Sequence, residues 1–256
     1  MSRLNEKTAI VTGATSGIGE AAALLFAQEG ANLVLSGRRQ EKLGELVARI
    51  EALGARAIAV AGDVRDERHA QACVTTAIKQ FGGLDVAFNN AGAATVMGSV
   101  TRIDPFGWQE TIDTCLTSAY LGARHQVPAM LENGGGSLIF TSSFVGNTVG
   151  FPGMAAYAAA KAGLVGLVQT LAAEYGARGV RANALLPGGV DTPSNAANLP
   201  DAAPETRGFI EGLHALKRLG TPEELAEAAL FLASDASRFM TGASMLVDGG
   251  VSITRT

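Results

Sequence analysis

The chain has 256 residues, of which 47% are hydrophobic and 17% charged, against roughly 25% charged residues in ordinary soluble domains. So apolar a chain can bury a large core, which excludes a mainly disordered protein, and its net charge of −4 argues against nucleic-acid binding as a main activity. At roughly 150 residues per domain, and with no linker in the sequence, we predict a single domain spanning 1–256.

Short β-rich runs alternate with longer helical stretches along the chain. The predicted strands are 8–12, 32–36, 56–61, 85–89, 137–142, 181–186 and 244–247, and the predicted helices are 21–28, 40–53, 67–81, 105–131, 155–176 and 222–233. Strands that are apolar throughout are buried on both faces, and alternation with helices implies parallel pairing with right-handed crossovers. The predicted fold is α/β: a single-domain, doubly wound, Rossmann-like parallel sheet of about seven strands flanked by helices on both faces.

A glycine-rich segment, TGATSGIG at 12–19, follows the first strand and opens the first helix. Gly13 allows a tight exit from the strand, while Gly17 and Gly19 let the backbone approach a pyrophosphate and the helix pack close to the sheet. The helix N-terminus offers unpaired N–H groups to the phosphates. The predicted dinucleotide-binding residues of this loop are Gly13, Thr15, Ser16, Gly17, Ile18 and Gly19.

The segment 191–215 contains three prolines and shows weak periodicity. It directly follows a predicted strand, at the sheet edge where such folds bind ligands. We expect an irregular, mobile lid over a site, with a plain surface excursion as the alternative.

The cysteines, Cys73 and Cys115, lie far apart and outside any Cys-x-x-Cys pair, so neither a disulfide framework nor a zinc knuckle is expected. The histidines, His69, His125 and His214, are scattered, and we expect packing or surface roles and no metal site. The first ten residues do not form a secretory signal, and no uninterrupted run approaches the ~18 apolar residues of a membrane span. We therefore expect a cytoplasmic protein with no membrane or nucleic-acid partner.

The chain resembles the short-chain dehydrogenases/reductases of the compact type, similar to their 3-oxoacyl-acyl carrier protein reductase and carbonyl reductase members. The resemblance covers nearly the whole chain and is carried by motifs in the family's order: TGATSGIG at 12–19, Asp63-Val64, NNAG at 89–92, Tyr157-Ala-Ala-Ala-Lys161, Pro187-Gly188 and VDGG at 247–250. It implies an NAD(P)(H)-dependent oxidoreductase that transfers a hydride between the cofactor and a carbonyl or secondary alcohol.

The resemblance also implies roles along the cofactor. Asp63 would accept a hydrogen bond from the adenine amino group while Val64 packs on the ring, although Asp63 is alternatively a helix N-cap. The segment Asn90, Ala91 and Gly92 would run beside the adenosine ribose, or form a simple strand-ending turn. The nicotinamide carboxamide would be held by Pro187, Gly188, Val190 and Thr192.

The second strand ends in Leu35-Ser36-Gly37-Arg38-Arg39, without the acidic residue that usually binds the ribose 2′-OH of NAD. A guanidinium can bind a 2′-phosphate in bidentate fashion and stack on adenine. Arg38 and Arg39 therefore predict a preference for NADP(H), with NAD(H) as the second cofactor. The alternative is a solvated pair that opens a helix.

Tyr157 and Lys161 are spaced i, i+4 and so share one face of a helix. The nearby ammonium favours the phenolate, which lets the phenol exchange a proton with a substrate oxygen. By resemblance, Lys161 would also reach the nicotinamide ribose. Ser143, with Ser142 as the second candidate, would hydrogen-bond the substrate oxygen beside Tyr157.

The sequence departs from the family at Cys115, which stands seven residues after Trp108 where an asparagine is usual. In the family this position kinks the helix, and its main-chain carbonyl holds a water in a proton relay through Lys and Tyr. A cysteine keeps the carbonyl but lacks the carboxamide's hydrogen bonds. The alternatives are retained activity, a slower or specialised enzyme, or an NADP(H)-binding sensor or interaction protein with little catalysis.

The residues expected around the substrate are mostly apolar: 93–95, Phe144, Val145, Met154 and the 191–215 segment. A ketone, a secondary alcohol and a β-ketoacyl thioester all fit them. Small residues line the helix at 155–176, and by resemblance this helix and 105–131 would form a homodimer interface within a homotetramer. Packing of the same small residues inside one chain is the alternative.

Overall fold

A computed structural model describes residues 2–254. Within this range, seven strands form one parallel sheet in the order β3-β2-β1-β4-β5-β6-β7. The strands are β1 Thr8–Thr12, β2 Asn32–Gly37, β3 Ala57–Ala61, β4 Val86–Asn89, β5 Gly136–Thr141, β6 Val180–Pro187 and β7 Ser244–Val247. The helices are α1 Gly17–Gln28, α2 Gln40–Ala52, α3 Glu67–Phe81, α4 Pro105–Ile112, α5 Ser118–Glu132, α6 Ala155–Tyr175, α7 Thr206–Leu213 and α8 Pro222–Ala233. The predicted doubly wound α/β architecture is confirmed.

The sheet is covered on both faces, which explains why its central strands are apolar at every position. On β1, Ala9 and Val11 face one core layer, built with α1, α2 and α8, whereas Ile10 faces the other, built with α3, α5 and α6. All three side chains are fully buried. A strand with two buried faces cannot alternate polar and apolar residues.

Short polar side chains fix where several helices begin. Asp66 accepts a hydrogen bond from the Arg68 N–H at the start of α3, and Asp104 accepts one from the Gly107 N–H at the start of α4. Each satisfies an N–H that the first helical turn leaves unpaired. α1 begins four residues earlier than predicted, because its first turn includes the glycine-rich segment.

The predicted helix 105–131 is divided by a π-helical turn, Asp113–Thr117, between α4 and α5. A π turn places one extra residue in the turn and so re-aims the side chains that follow it. Cys115 lies inside this turn, at the position where the family resemblance implied a kink.

The segment 191–215 was predicted to be irregular, and this is wrong for part of it. It contains a 3₁₀ turn, Ala196–Asn198, and the two-turn helix α7. Gly208 and Gly212 lie inside α7, and glycine lowers helix propensity by about 1 kcal/mol per residue. The sequence signal for this helix was therefore weak.

One stretch, Ala155–Arg178, is long and apolar enough to span a membrane when judged by length and composition alone. Only 39% of its most apolar window is buried. The core helix of a globular protein passes the same test, and Lys161 and Glu174 interrupt its apolar run.

The sheet order places the site. β1 and β4 are neighbours although β2 and β3 lie between them in sequence, so successive connections leave β1 in opposite directions. A crevice opens at the carboxyl ends of the strands where this reversal occurs.

Candidate active site

A cleft of about 640 Å³ opens at the carboxyl edge of the sheet. It brings together nearly every residue predicted from the sequence to bind the cofactor or to act in catalysis, whereas Phe144, Val145 and Met154, predicted to lie around the substrate, are not part of its lining. Among the residues that line it are Gly13, Thr15, Ser16, Gly17, Ile18, Arg38, Arg39, Asp63, Val64, Asn90, Ala91, Gly92, Ser143, Tyr157, Lys161, Pro187, Gly188, Val190 and Thr192. Gly19 and Cys115, also predicted from the sequence, do not line the cleft.

The glycine-rich loop has the form of a phosphate cradle. Gly13 and Gly17 adopt φ angles of +66° and +57°, which favour glycine. A Cβ on Gly19 would lie 2.2 Å from the Gly13 carbonyl oxygen, so only glycine lets α1 pack this close. Ser16 caps α1 without a side-chain hydrogen bond, which leaves the first N–H groups of the helix to an anion. The loop therefore fits the pyrophosphate of a dinucleotide.

The two arginines at the end of β2 occupy different positions. The Arg39 guanidinium donates to the Thr15 hydroxyl at 2.8 Å and to the Ser16 hydroxyl at 3.1 Å, so it lies against the phosphate loop. Arg38 is exposed at the mouth of the cleft, on the side of Asp63. Both positive charges thus border the cleft where the adenosine ribose of a dinucleotide would lie.

Asp63 does not cap α3, so that alternative for it is wrong; the cap is Asp66. The Arg65 guanidinium instead donates to both carboxylate oxygens of Asp63 and holds its pKa below the usual value. Arg65 also lines the cleft and was not predicted from the sequence.

The segment after β4 is tied to the end of β1. The Thr12 hydroxyl oxygen accepts from the N–H groups of Asn90 and Ala91, both at 3.0 Å. A Cβ on Gly92 would lie 3.0 Å from the Lys161 Nζ. Glycine at this position therefore leaves room for the lysine head group.

The three predicted catalytic side chains meet on one wall of the cleft. The Lys161 ammonium is 3% exposed, donates to the Thr141 carbonyl oxygen, and lies 5.6 Å from the centre of the Tyr157 ring. The Ser143 hydroxyl oxygen accepts from the Val145 N–H at 3.1 Å, which leaves the hydroxyl hydrogen for another acceptor. The arrangement combines a phenol, a nearby cation and a hydroxyl donor around one space.

Ser142 has a different role from its neighbour. Its hydroxyl donates to the Lys161 carbonyl oxygen at 2.7 Å and accepts from the Asn147 side-chain amide at 3.1 Å. These bonds attach α6 to the segment at the end of β5. Ser143 therefore remains the candidate for substrate contact.

Cys115 is 2% exposed, and its thiol lies 3.2 Å from the Ala93 carbonyl oxygen. A Cβ on Gly92 would lie 3.5 Å from its sulfur, so the thiol sits directly behind the wall that carries Lys161. It also lines a small internal cavity of about 20 Å³, together with His69 and Cys73.

An apolar wall stands beside Tyr157. Phe144, Val145 and Met154 belong to it, as predicted from the sequence. Leu213, from the predicted 191–215 segment, also belongs to it. The structure adds Val149, Phe151 and Val251, which were not predicted because three separate segments converge here.

Two arginines near this wall are paired with carboxylates of the chain. Arg207 pairs with Asp191 at 3.0 Å and Arg218 with Glu224 at 2.6 Å. Lys217 donates to the Gly212 carbonyl oxygen, which is uncharged. The wall itself consists of hydrophobic side chains and Tyr157.

The chain matches the family model described as "Enoyl-(Acyl carrier protein) reductase" over residues 13–252. It is 38% identical to a cyclohexanol dehydrogenase of Acinetobacter sp. over 96% of this chain and 95% of that protein. It is also 38% identical to the 3-oxoacyl-[acyl-carrier-protein] reductase of Thermotoga maritima, over 98% of this chain and 100% of that protein. The crystal structure of carveol dehydrogenase from Mycobacterium avium in complex with NAD superposes with a TM-score of 0.92, at 32% identity, over 99% of this chain and 100% of that chain.

Proposed function

The chain belongs to the short-chain dehydrogenase/reductase family, and from this premise we propose that it transfers a hydride between NADP(H) and a neutral ring ketone or secondary alcohol. Its relatives are dehydrogenases and reductases that act on alcohols or carbonyls. The observation that carries the proposal is the meeting of Ser143, Tyr157 and Lys161 on the wall of a cleft that also contains the phosphate cradle.

The residues of the chain fit the cofactor, which supplies or accepts the hydride when bound. The cradle would hold the pyrophosphate, Asp63 and Val64 would hold the adenine, and Pro187, Gly188, Val190 and Thr192 would hold the nicotinamide. Ser143 and Tyr157, which line the same cleft, would then lie beside the nicotinamide.

In the proposed mechanism, Ser143 donates its hydroxyl hydrogen to the substrate oxygen and orients it. Tyr157 gives a proton to that oxygen during reduction and takes it during oxidation. The Lys161 ammonium, anchored by the Thr141 carbonyl, stabilises the phenolate form of Tyr157. Ser142 keeps Lys161 in register by holding its backbone.

The proposed preference for NADP(H) follows from charge at the end of β2. Gly37 occupies a position where a Cβ would lie 2.8 Å from the Thr15 side chain, which leaves no space for an acidic residue. Arg38 and Arg39 offer two cations at this edge of the cleft. A 2′-phosphate would find bidentate donors there, whereas a 2′-OH would find no carboxylate at this end of the strand.

The substrate class follows from the apolar wall and the paired cations. Cyclohexanol and carveol, named for two of the relatives, are secondary alcohols on six-membered rings. Such a ring would pack on Phe144, Phe151 and Met154. A thioester on an acyl carrier protein, named for another relative, is favoured by free cations beside the substrate, and here Arg207 and Arg218, in the segments next to the apolar wall, are already paired.

The protein is further proposed to assemble as a homotetramer or a homodimer. Six of the 21 residues of α6 are exposed, among them Gly166, and Phe106, Trp108 and Tyr120 are exposed on the neighbouring α4 and α5. Exposed apolar surface of this kind marks interaction sites.

The decisive experiment measures NADPH oxidation with cyclohexanone, substituted cyclohexanones and β-ketoacyl thioesters, using wild-type protein and Tyr157→Phe. We expect turnover of the ring ketones and a loss of about 10²–10⁴-fold in kcat for the variant, because it lacks the proton that Tyr157 supplies. NADPH affinity should be retained. Tyr175→Phe, on the same helix but outside the cleft, is the matched control.

Tight NADPH binding with no turnover on any carbonyl would contradict the oxidoreductase proposal. Preference for β-ketoacyl thioesters over ring ketones would overturn the substrate class alone.

A further inference from the structure

His214 is a buried histidine that the proposed mechanism does not use. It is 1% exposed and immediately follows α7, the helix in the segment 191–215. Its imidazole extends from the end of this helix to the loop after β6, where the nicotinamide is proposed to bind.

Both ring nitrogens of His214 have backbone partners. The Gly189 N–H donates to Nε2 at 2.9 Å, and Nδ1 lies 2.8 Å from the Ile210 carbonyl oxygen. An N–H can only donate and a carbonyl oxygen can only accept, so Nε2 is unprotonated and Nδ1 carries the hydrogen. These two bonds define one tautomer of the imidazole.

Two glycines make room for the ring. A Cβ on Gly189 would lie 2.9 Å from His214 Cε1, and a Cβ on Gly249 would lie 3.3 Å from its Cδ2. The imidazole is thus enclosed between the loop after β6 and the turn after β7, and this packing restricts its rotation. Gly189 itself lines the cleft.

The segment that follows His214 returns to the same loop. The Gly220 N–H donates to the Gly189 carbonyl oxygen at 2.9 Å, and the Asp191 N–H donates to the Gly220 carbonyl oxygen at 2.8 Å. The loop is thereby bonded through main-chain groups on one side and through the His214 side chain on the other. The His214 side chain also connects the loop to α7, because its ring is hydrogen-bonded to Ile210 on that helix.

We propose that His214 is a positioning residue that fixes the nicotinamide-binding loop through the Gly189 N–H and connects this loop to α7. The inference rests on the proposed cofactor site. Without an acceptor at Nε2, the Gly189 N–H would be an unsatisfied donor in a partly buried position, and the loop would shift to find another partner. Contacts to the nicotinamide half of the cofactor would weaken, whereas the adenine half, held by other segments, would not change.

Two variants with an amide side chain test the two hydrogen bonds of His214 separately. In His214→Gln the side-chain oxygen reaches about as far as Nε2 and can still accept from Gly189. In His214→Asn the amide reaches about as far as Nδ1, so it can still donate to Ile210 but cannot reach Gly189. His125→Gln and His125→Asn are the matched controls, because His125 lies on α5 and pairs with Glu67 outside the cleft.

The experiment measures, by calorimetry, the affinities of NADPH and of 2′-phospho-ADP-ribose, which is the same molecule without the nicotinamide ring. We expect His214→Asn to weaken NADPH binding about tenfold, the effect of one lost hydrogen bond of ordinary strength, and to leave the fragment's affinity unchanged. His214→Gln should bind both ligands about as wild-type protein does. A change in overall stability would lower both affinities together, so the ratio isolates the positioning effect.

The proposal is overturned if His214→Asn binds NADPH normally, if it loses affinity for both ligands equally, or if His214→Gln falls as far as His214→Asn. Should the wild-type protein prefer NADH, then NADH and ADP-ribose serve as the pair. Wild-type protein that binds no dinucleotide contradicts the proposed function itself, and the inference falls with it.

Discussion

At the scale of single residues, Arg38 and Arg39 differ in their freedom to meet a ligand. Both side chains are exposed, but Arg39 is already bonded to the phosphate loop. The sequence predicted the cationic character of this edge but could not tell the two side chains apart, because the Thr15 partner of Arg39 lies 24 residues away in the chain.

Arg38→Asp tests the cofactor preference. We expect wild-type protein to bind NADPH more tightly than NADH, and the variant to lose at least about tenfold in NADPH affinity, because a carboxylate would replace a cation beside the 2′-phosphate. Fluorescence titration with both cofactors measures it. Equal affinities in the wild type, with no loss in the variant, would sink the NADP(H) proposal.

Cys115 is the one departure from the family pattern, and its surroundings indicate a substitution that the site tolerates. Its thiol lies in hydrogen-bond range of the Ala93 carbonyl oxygen, so one side-chain donor is kept at this position. A change of side chain also leaves the main-chain carbonyl of this residue in place.

Cys115→Asn is therefore expected to keep or raise kcat, since a carboxamide is a stronger donor than a thiol. Steady-state turnover with NADPH and a ring ketone measures this. Cys73→Ser is the control, because Cys73 lies on α3 at the same internal cavity without touching the cleft wall. A large loss in Cys115→Asn alone would show that the thiol has a role of its own.

At the scale of elements, most strands and helices could be predicted, because the pattern of hydrophobic residues distinguishes the two and residues that favour turns mark where most of them end. The π turn could not, since one extra residue in a turn leaves the composition of a helix unchanged. The helix α7 was missed because two glycines weaken its propensity, and tertiary packing of Leu213 stabilises it instead. The apolar wall was predicted only in part, because its members come from segments distant in sequence.

Gly146 shows how tightly one loop must pack on α6. Its φ is +85°, and a Cβ there would lie 2.4 Å from the Ala158 carbonyl oxygen, next to Tyr157. Gly146→Ala should lower the free energy of unfolding by at least about 2 kcal/mol, through backbone strain and steric clash, and lower kcat as well.

Gly150→Ala, in the same loop with no atom within 4 Å of its Cβ, should change neither quantity. Urea unfolding of both variants and turnover at saturating cofactor make the comparison. Equal stability of the two variants would contradict the assigned packing.

The start of α8 is held by a reciprocal cap. The Thr221 hydroxyl accepts from the Glu224 N–H, and the Glu224 carboxylate accepts from the Thr221 N–H. Arg218 donates to the same carboxylate, and these bonds lower the pKa of Glu224 to about 2, from an ordinary value of 4.5. A carboxyl group with a lowered pKa contributes stability above its ordinary pKa, and this contribution is lost as the pH falls towards 2.

Glu224→Gln should therefore flatten the loss of stability between about pH 5 and pH 2, while Glu223→Gln, on the same first turn, should not. Urea midpoints at about pH 7 and about pH 3 measure the difference. The effect will be modest and sensitive to salt, because both partners of the Arg218–Glu224 pair are half exposed. Parallel pH profiles for wild-type protein and Glu224→Gln would refute it.

At the scale of the whole molecule, the number of strands and their parallel pairing could be predicted from alternation alone. The strand order required the structure, because apolar strands carry no label for their neighbours. The order explains why the predicted motifs converge: each follows the carboxyl end of a strand, and all these ends lie on one edge of the sheet.

The proposed assembly depends on the outer face of α6. Gly163 packs inward, since a Cβ there would lie 2.8 Å from Leu116, whereas a Cβ on Gly166 would meet no atom of another segment within 4 Å among the described residues. Packing inside one chain is therefore observed for Gly163, and the interface with a second copy stays a prediction for the opposite face of the helix. The inward face is filled within the chain, and the outward face is the one available to a second copy.

Light scattering should show a dimer or a tetramer for the wild-type protein. Gly166→Arg should shift it to a smaller species, because a long cation would be placed in the interface. Gly44→Arg, which adds the same side chain at an open position on α2, should not. A monomeric wild-type protein would contradict the assembly.

The turn after β7 is synthesised late in translation, and this delays completion of the proposed site. Gly188 donates its N–H to Val247, and a Cβ on Gly188 would lie 2.6 Å from the Asp248 carbonyl oxygen, so the proposed nicotinamide loop leans on the turn after β7. The proposed adenine half would be built from residues up to Gly92, long before that turn is synthesised. At roughly 5–20 residues per second, between about 8 and about 30 seconds of translation separate the two halves. Because α1, which follows the phosphate loop, packs with α8 in one core layer, the proposed site can bind the dinucleotide along its whole length only after the last helix and the last strand have joined the fold.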